Sequence, residues 1–362
     1  MKKVLFYTDT PNIGGAEKQM LLLTQYLKKA GHRVDLAYGK YSNIKTMHGD
    51  FNKYCDNIHV LNTLHKHDLR HYFHLKKVLK GGKYDLIHIH LWNPGSGRYA
   101  FFAAKKMGVK IITTEHDPFK LHGFKKVIKK ICIKKTEETI SISSDNYGLL
   151  LDYYKIPKKQ LNIVHNGIEV SRFLDNKNVA NLPVKSGDIV ISCIAEFHER
   201  KGHKYLLDAF QTLQKQFSSL QLMLIGTGPI EKNLKDKYGN NPNIHFLGWR
   251  NDIPEILDAS DIFVLPSLRE AFGLVVLEAM ISGVVTIATN NGGTVDIIED
   301  GKSGYLIPPQ NRDKIIETVK TILFNPGQKE DIKKASVERV KNFFTAEKMT
   351  ERTVKVYAKT IS

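Results

Sequence analysis

Short apolar runs recur along the whole chain with helical stretches between them, and this alternation restricts the fold more than any other feature. In the first half the runs are Val4–Tyr7, Arg33–Tyr38, Asp85–His90, Lys110–Thr114 and Glu138–Ile142. Their hydrophobicity is continuous, as in parallel strands covered on both faces. Between the first two runs, Gly14-Gly-Ala-Glu17 forms a glycine turn feeding a helix that closes at Ala30-Gly31. The chain therefore opens as a βαβ unit of the doubly wound type. A polar stretch from about Ser171 to Gly187 interrupts the pattern. It restarts with Ile189–Ile194 and continues through Leu220–Ile225, Ile244–Leu247, Asp261–Leu265, Val284–Ala288 and Gly304–Ile307. Two α/β halves of similar architecture follow, with no residue-level repeat between them.

The 362 residues suffice for two ordinary domains, and 42% hydrophobic content supplies a core for each. No run approaches the ~18–20 apolar residues of a spanning helix. The N-terminus lacks a signal-peptide core, so a cytoplasmic chain is expected. Cys55, Cys132 and Cys193 are far apart and without metal-ligand spacing, which predicts reduced, packed thiols. Charge is unevenly spread: residues 1–175 carry 30 Lys and Arg against 15 Asp and Glu, leaving only 24 against 22 for the remainder. Such asymmetry suits an anionic surface partner. No nucleic-acid module or aromatic stacking platform accompanies it, which argues against nucleic acid and leaves membrane lipid, or a lysine-rich composition with no partner, as the readings.

The chemistry-bearing string is Ser267-Leu-Arg-Glu270-Ala-Phe272-Gly273-Leu274-Val-Val-Leu-Glu278, which follows the apolar run Asp261–Leu265. It places two carboxylates eight residues apart across a turn that opens a helix. Amides around Phe272, Gly273 and Leu274 at the helix tip suit a diphosphate, and Glu278, about one and a half turns further, suits a ribose diol. Glu270 on the loop would face the other end of such a ligand. Read alone, the string is equally a strand-loop-helix junction with Glu270 favouring the helix dipole and Glu278 solvated. Lys201-Gly202 follows the first strand of the second half, where a cation can neutralise a leaving diphosphate. His116 follows a strand end in the basic half.

The string with its two glutamates resembles the E-x7-E signature of the large GT-B family of retaining glycosyltransferases (family 4, group 1), which includes bacterial mannosyl-, glucosyl- and N-acetylglucosaminyltransferases. The resemblance extends along most of the chain. Asn12-Ile-Gly14-Gly15-Ala-Glu17 is similar to the family's GG-x-E loop, which borders donor phosphate and acceptor. Lys201-Gly202 is similar to its K-G element, and Thr114-Glu-His116 to a position near the donor sugar. Phe246-Leu-Gly-Trp249-Arg250 resembles the strip along the nucleobase. The family pattern is broken at Glu196, where many members carry Arg, so that either Arg200 supplies the missing cation or the site uses one fewer. It is broken mildly at Asp296, where Glu is usual.

What the resemblance implies is a doubly wound α/β protein of two facing Rossmann-like domains with an interdomain cleft. The expected limits are an acceptor domain at 1–170, a linker at 171–187, a nucleotide-sugar domain at 188–335 and a C-terminal helix at 336–362 packing back on the first domain. The implied reaction is transfer of a hexose or N-acetylhexosamine, with retention, from a UDP-linked donor to a glycan or lipid-linked acceptor in cell-surface polysaccharide synthesis. Glu270, Lys201 and His116 would be catalytic; Gly14, Gly15, Arg200, Lys201, Arg250, Glu270, Phe272, Gly273, Leu274 and Glu278 would bind donor. No cofactor or metal is expected, since a D-x-D motif is missing; a metal on His65, His67, His71 and His74 is disfavoured because lysines surround them. A UDP-sugar epimerase of the same fold, or a non-catalytic anionic-polymer binder, are the alternatives. Seven lysines between Phe119 and Lys135, beside Phe124, Val127, Ile128 and Ile131 at helical spacing, read as a core helix, a peripheral contact with the anionic inner membrane face, or both.

Overall fold

The computed structural model describes residues 1–175 and 180–361. Part of the expected linker, residues 176–179, lies outside them. The chain divides into two compact units, Met1–Gly167 with Ala346–Ser362, and Ile168–Thr345. The unit limits thus lie at 167/168 and 345/346, where the sequence reading set 170, 188 and 336.

The first unit runs β1 (Lys3–Thr8), α1 (Gly15–Lys29), β2 (Arg33–Gly39), α2 (His48–Asn52), β3 (Asn57–Leu61), α3 (Arg70–Gly82), β4 (Leu86–Leu91), α4 (Arg98–Met107), β5 (Lys110–Glu115), α5 (Gly123–Ile133), β6 (Glu138–Ser141), α6 (Ser144–Asp152) and β7 (Leu161–Ile163). The second runs α7 (Ser171–Leu174), β8 (Ile189–Ile194), α8 (His203–Leu213), β9 (Leu220–Ile225), α9 (Glu231–Tyr238), β10 (Ile244–Gly248), α10 (Ile253–Asp258), β11 (Ile262–Leu265), α11 (Leu274–Ile281), β12 (Val285–Thr289), α12 (Thr294–Ile297), β13 (Tyr305–Ile307), α13 (Arg312–Phe324) and α14 (Pro326–Phe343). Finally α15 (Ala346–Ile361) returns to the first unit. The segment expected as one terminal helix is therefore two, α14 packing on α11 and α15 on α1.

Both sheets are parallel, ordered β3-β2-β1-β4-β5-β6-β7 and β10-β9-β8-β11-β12-β13. In each, the order reverses beside its first strand, which leaves a crevice beyond the carboxyl ends of the two strands at the reversal. Strand sequence explains the layering. Side chains alternate between faces, so Leu5, Tyr7, Ile87 and Ile89 pack under α3, α4 and α5. Val4, Phe6, Leu86 and Ile112 pack under α1 and α15 with Met349, Val356 and Tyr357. In the second unit Ile191, Cys193, Leu222, Leu224 and Val264 pack with Leu206, Phe210 and Val319 from α8 and α13. Cys55, Cys132 and Cys193 are buried and unpaired, their thiol pKa values pushed up by burial to about 12, 11 and 12.

Candidate active site

At the reversal point of the second sheet, the segments after β8 and β11 meet. The turn 199–201 accepts from its neighbour, Leu268 N donating to Arg200 O at 2.7 Å. Gly202 permits this approach: a Cβ there would lie 2.0 Å from Pro266 O, so no side chain fits. Lys201 is thereby delivered to Glu270. Its Nζ donates to Glu270 Oε2 at 2.5 Å, with side chains 13% and 11% exposed. Two candidates given separate roles from sequence are one ion pair. Ser267 Oγ donates to the same oxygen at 3.2 Å.

The loop bearing Glu270 rests on a second loop, the one that follows β12 and leads to Asp296. Asn291 Oδ1 accepts from Glu270 N at 3.0 Å, and Asn291 Nδ2 donates to Ser267 O at 2.7 Å and to Thr289 Oγ1 at 2.9 Å. Thr289 Oγ1 in turn donates to Ser267 O at 2.6 Å. Gly292 has φ +57°, and a Cβ on it would lie 1.5 Å from Glu270 O. The glycine pair at 292–293 is a seat for the Glu270 loop. Ser267, Thr289 and Asn291 were missed; the adjacent Gly292-Gly293 was the only signal that backbone approaches closely there.

Phe272 is buried, and Gly273, at φ +98°, precedes α11 without a side-chain cap. The first-turn amides of a helix lack intrahelical acceptors, so this tip can take an anion. Leu274 begins α11 and half-buried Glu278 lies one turn further along it. Arg200 lies on the other side of the Lys201 turn, its Nη2 donating to Glu196 Oε2 at 3.4 Å with both side chains largely exposed (41% and 53%). The carboxylate that breaks the family pattern thus engages the guanidinium proposed to compensate for it. Arg250, after β10, is held by Asp252, with Nε donating to Oδ1 at 2.7 Å and Nη2 to Oδ2.

Gly14, Gly15 and His116 lie in the first unit. Gly14 N donates to Glu17 Oε2 at 2.8 Å, closing the start of α1. Burial raises the pKa of that carboxyl. His116, just after β5, is 6% exposed, and its Nε2 shares a hydrogen bond with His90 Nδ1 at 3.2 Å. The His90 ring lies tilted against that of His88, with centroids 4.2 Å apart; His88 bonds to the Tyr357 hydroxyl of α15 and to Thr114 Oγ1, each at 2.7 Å. Burial lowers all three imidazoles: His116 to about 4, His88 to about 3 with help from His116, and His90 well below its ordinary value. They are neutral at pH 7, so His116 can exchange hydrogen bonds but brings no charge. With Gln19, Asn166 and Thr353 it lines a cavity of about 20 Å³, a size that holds a water molecule.

Of the four histidines weighed as ligands, His65 and His67 precede α3 while His71 and His74 lie on it. His71 is buried and bonded to the Tyr7 hydroxyl at 3.0 Å. Among the described residues no group of three or more His, Cys, Asp or Glu is disposed to hold a metal ion. No helix among them is long and apolar enough to cross a membrane.

Comparison with known proteins agrees with this arrangement. Residues 13–172 match the family described as Glycosyltransferase Family 4, and residues 175–339 match Glycosyl transferases group 1. The chain is 27% identical over 284 residues, 73% of this chain and 72% of the relative, to the UDP-Gal:alpha-D-GlcNAc-diphosphoundecaprenol alpha-1,3-galactosyltransferase of Escherichia coli. It is 23% identical over 376 residues, 99% of this chain and 97% of the relative, to the N-acetyl-alpha-D-glucosaminyl L-malate synthase of Bacillus anthracis. Among solved structures it superposes on a glycosyltransferase from Rickettsia africae with a TM-score of 0.85, at 20% identity over 100% of this chain and 99% of that one. It superposes on Anabaena HepE in complex with UDP and glucose with a TM-score of 0.79, at 17% identity over 99% and 100%. Two parallel doubly wound sheets, together with family matches that run in succession along both units, make the chain a GT-B glycosyltransferase of group 1, family 4.

Proposed function

We propose that this enzyme transfers a hexosyl or N-acetylhexosaminyl group from a UDP-linked donor, with retention at the anomeric carbon, to a lipid-linked glycan at the inner face of the cytoplasmic membrane. The observation that carries the donor assignment is the Lys201–Glu270 ion pair at the reversal point of the second sheet, beside the uncapped tip of α11. As the bond from the anomeric carbon to the diphosphate oxygen breaks, negative charge grows on the departing UDP. The Lys201 ammonium and the amides at Phe272, Gly273 and Leu274 are the groups that stabilise it. Glu278 accepts hydrogen bonds from the ribose, and Glu270 both orients Lys201 and meets sugar hydroxyls. His116, neutral, offers a polar contact only. The acceptor oxygen bonds to the anomeric carbon on the face the diphosphate leaves, and its proton passes to the departing phosphate oxygen, so configuration is kept without a protein nucleophile. No metal has a part in these steps.

The names of relatives support the donor class: the Escherichia coli enzyme is named for UDP-Gal and a diphosphoundecaprenol-linked acceptor, and HepE was solved with UDP and glucose. The test is a thermal-shift screen of nucleotide sugars. A ligand at 100 times its Kd adds ~2.7 kcal/mol, so UDP-sugars should raise Tm where GDP- and ADP-sugars do not. Stabilisation by a different nucleotide alone would overturn the UDP assignment. Anomeric configuration of the product, read by NMR, decides retention.

A further inference from the structure

Resting on the reading that the acceptor is lipid-linked, we infer that the first unit holds a lipid-phosphate site: the cavity between the loop after β4 and α5 seats the acceptor's phosphate, and the lipid chain leaves along the exposed apolar side of α5.

The cavity is about 440 Å³, within the range of small-molecule sites. Phe119, Leu121, Phe124 and Ile128 form its apolar wall; Lys66, Arg98, Lys125 and Lys129 are its cations, and no carboxylate is among the described residues lining it. Lys129, 4% exposed, is ion-paired with buried Glu115. The other three cations set the local potential, and His67 registers it: partial burial, then the charges of Arg98, Lys66, His65 and Lys125, lower its pKa. Neutral His67 in turn accepts from Arg98 Nη2 through Nδ1 at 2.8 Å. The site therefore has an oriented guanidinium, which suits phosphate geometry.

The loop that forms the other wall is held at the reversal point of the first sheet, where ligands of such sheets bind. Buried Asp9, just after β1, accepts from Gly97 N at 2.8 Å and from Trp92 Nε1 at 3.1 Å. Lys66 Nζ lies 4.7 Å from the centre of the Trp92 ring.

The surroundings select a lipid over a free anion. Helices α3, α4 and α5 cover one face of the sheet and carry four, three and four Lys or Arg with no Asp or Glu. Exposed apolar side chains stand among these cations: Phe73, Phe102, Phe124, Val127 and Ile131, with Phe124 77% exposed. Apolar groups ringed by lysine are what the headgroup layer of an anionic bilayer accepts. Phe124 belongs both to this surface and to the cavity wall, so a chain entering from the bilayer continues into the site. The stripe read from sequence as a core face, an interfacial face or both is divided: Ile128 packs inward, and Phe124, Val127 and Ile131 face out.

The experiment uses the full chain carrying Trp249→Phe, so that Trp92 alone reports by fluorescence, titrated with farnesyl phosphate below its critical micelle concentration. Saturable binding is expected, at least tenfold tighter than farnesol or inorganic phosphate. Arg98→Gln with Lys125→Gln should weaken it tenfold or more, and Phe124→Ser should weaken farnesyl phosphate while leaving inorganic phosphate unchanged. Lys348→Gln with Lys355→Gln on α15 is the charge-matched control and should bind as the parent does. Equal binding by the charge-depleted and parent proteins, or inorganic phosphate binding as tightly as farnesyl phosphate, overturns the site. Thermal stabilisation by UDP-sugar, measured with the same substitutions made in the chain that keeps Trp249, which is the parent for this comparison, separates the two readings. Donor stabilisation kept while farnesyl phosphate is lost supports a separate site, whereas failure of UDP-sugar to stabilise the parent, with farnesyl phosphate still bound, defeats the donor assignment and leaves this one standing.

Discussion

Lys201 donates to Glu270 across 69 residues of sequence, at 2.5 Å and with both side chains nearly nine-tenths buried. On the proposed function, the pair couples the charge that meets the leaving group to local structure. Lys201→Ala should lower kcat ~10²-fold or more while donor affinity changes less, because leaving-group charge develops only in the transition state. Removing Glu270 leaves the desolvated Lys201 ammonium without this partner, and removing Lys201 leaves Glu270 Oε2 with Ser267 Oγ in place of a cation, each costing ~1–3 kcal/mol. The Lys201→Met, Glu270→Gln double variant should recover stability without recovering turnover. Steady-state kinetics with urea denaturation checks both, and wild-type turnover in Lys201→Ala would remove the lysine from the diphosphate site.

Gly292→Ala forces a methyl to within 1.5 Å of Glu270 O, so the Glu270 loop must move. We expect a fall in turnover of ~10²-fold and loss of UDP-sugar stabilisation. Gly301 is the control: its φ is also positive, but a Cβ added there would meet nothing within 4 Å. Gly301→Ala should cost only ~1 kcal/mol and leave turnover intact. Equal effects of the two substitutions would show that the contact with Glu270 is unimportant.

The exposed Arg200–Glu196 pair should contribute at most ~1 kcal/mol to stability. If Arg200 serves the diphosphate, Arg200→Ala lowers kcat about tenfold, the equivalent of ~1.4 kcal/mol, with Tm nearly unchanged. Glu196→Arg should be tolerated or faster. An unaltered rate in Arg200→Ala leaves Lys201 and the tip of α11 as the counter-charges.

Acid should destabilise the first unit before carboxylates titrate. His116 and His88 are lowered to about 4 and about 3 in the folded chain against ~6.5 unfolded. Between those values the unfolded chain binds more protons, so stability is full above pH 6.5 and falls as pH drops toward 4. At its steepest one such group costs ~1.4 kcal/mol per pH unit. Urea midpoints at pH 7.5, 6.5 and 5.5 measure the slope, and His116→Asn should flatten it; an unchanged slope would place the titration elsewhere.

If, as proposed, Lys201 and the helix tip take the part a divalent ion plays in other transferases, activity should survive excess EDTA. Loss on chelation, restored by Mg²⁺ or Mn²⁺, would contradict this.

The alternation of apolar runs and helices was enough to specify two parallel α/β units, because strands covered on both faces must be continuously apolar and the helices between them must be long enough to cross over. The motif string around Glu270 and Glu278 was legible for a similar reason: a strand end, a glycine turn and a helix start are local events. What the sequence could not supply is which distant side chains share a proton or a charge. The Lys201–Glu270 contact and the Asn291 support arise because β8 and β11 are neighbours at the reversal point and β12 lies next to β11, whereas the Glu196–Arg200 pairing is local to the segment after β8. His88 and His90 read only as letters in a strand. Their period-two spacing places them on the face that α15 covers, where burial makes them neutral and Tyr357 gives His88 a partner. The division of α5 into an inward Ile128 and outward Phe124, Val127 and Ile131 was likewise decided by packing, since one helical stripe can meet a sheet or a solvent-facing surface and only the tertiary neighbours select which.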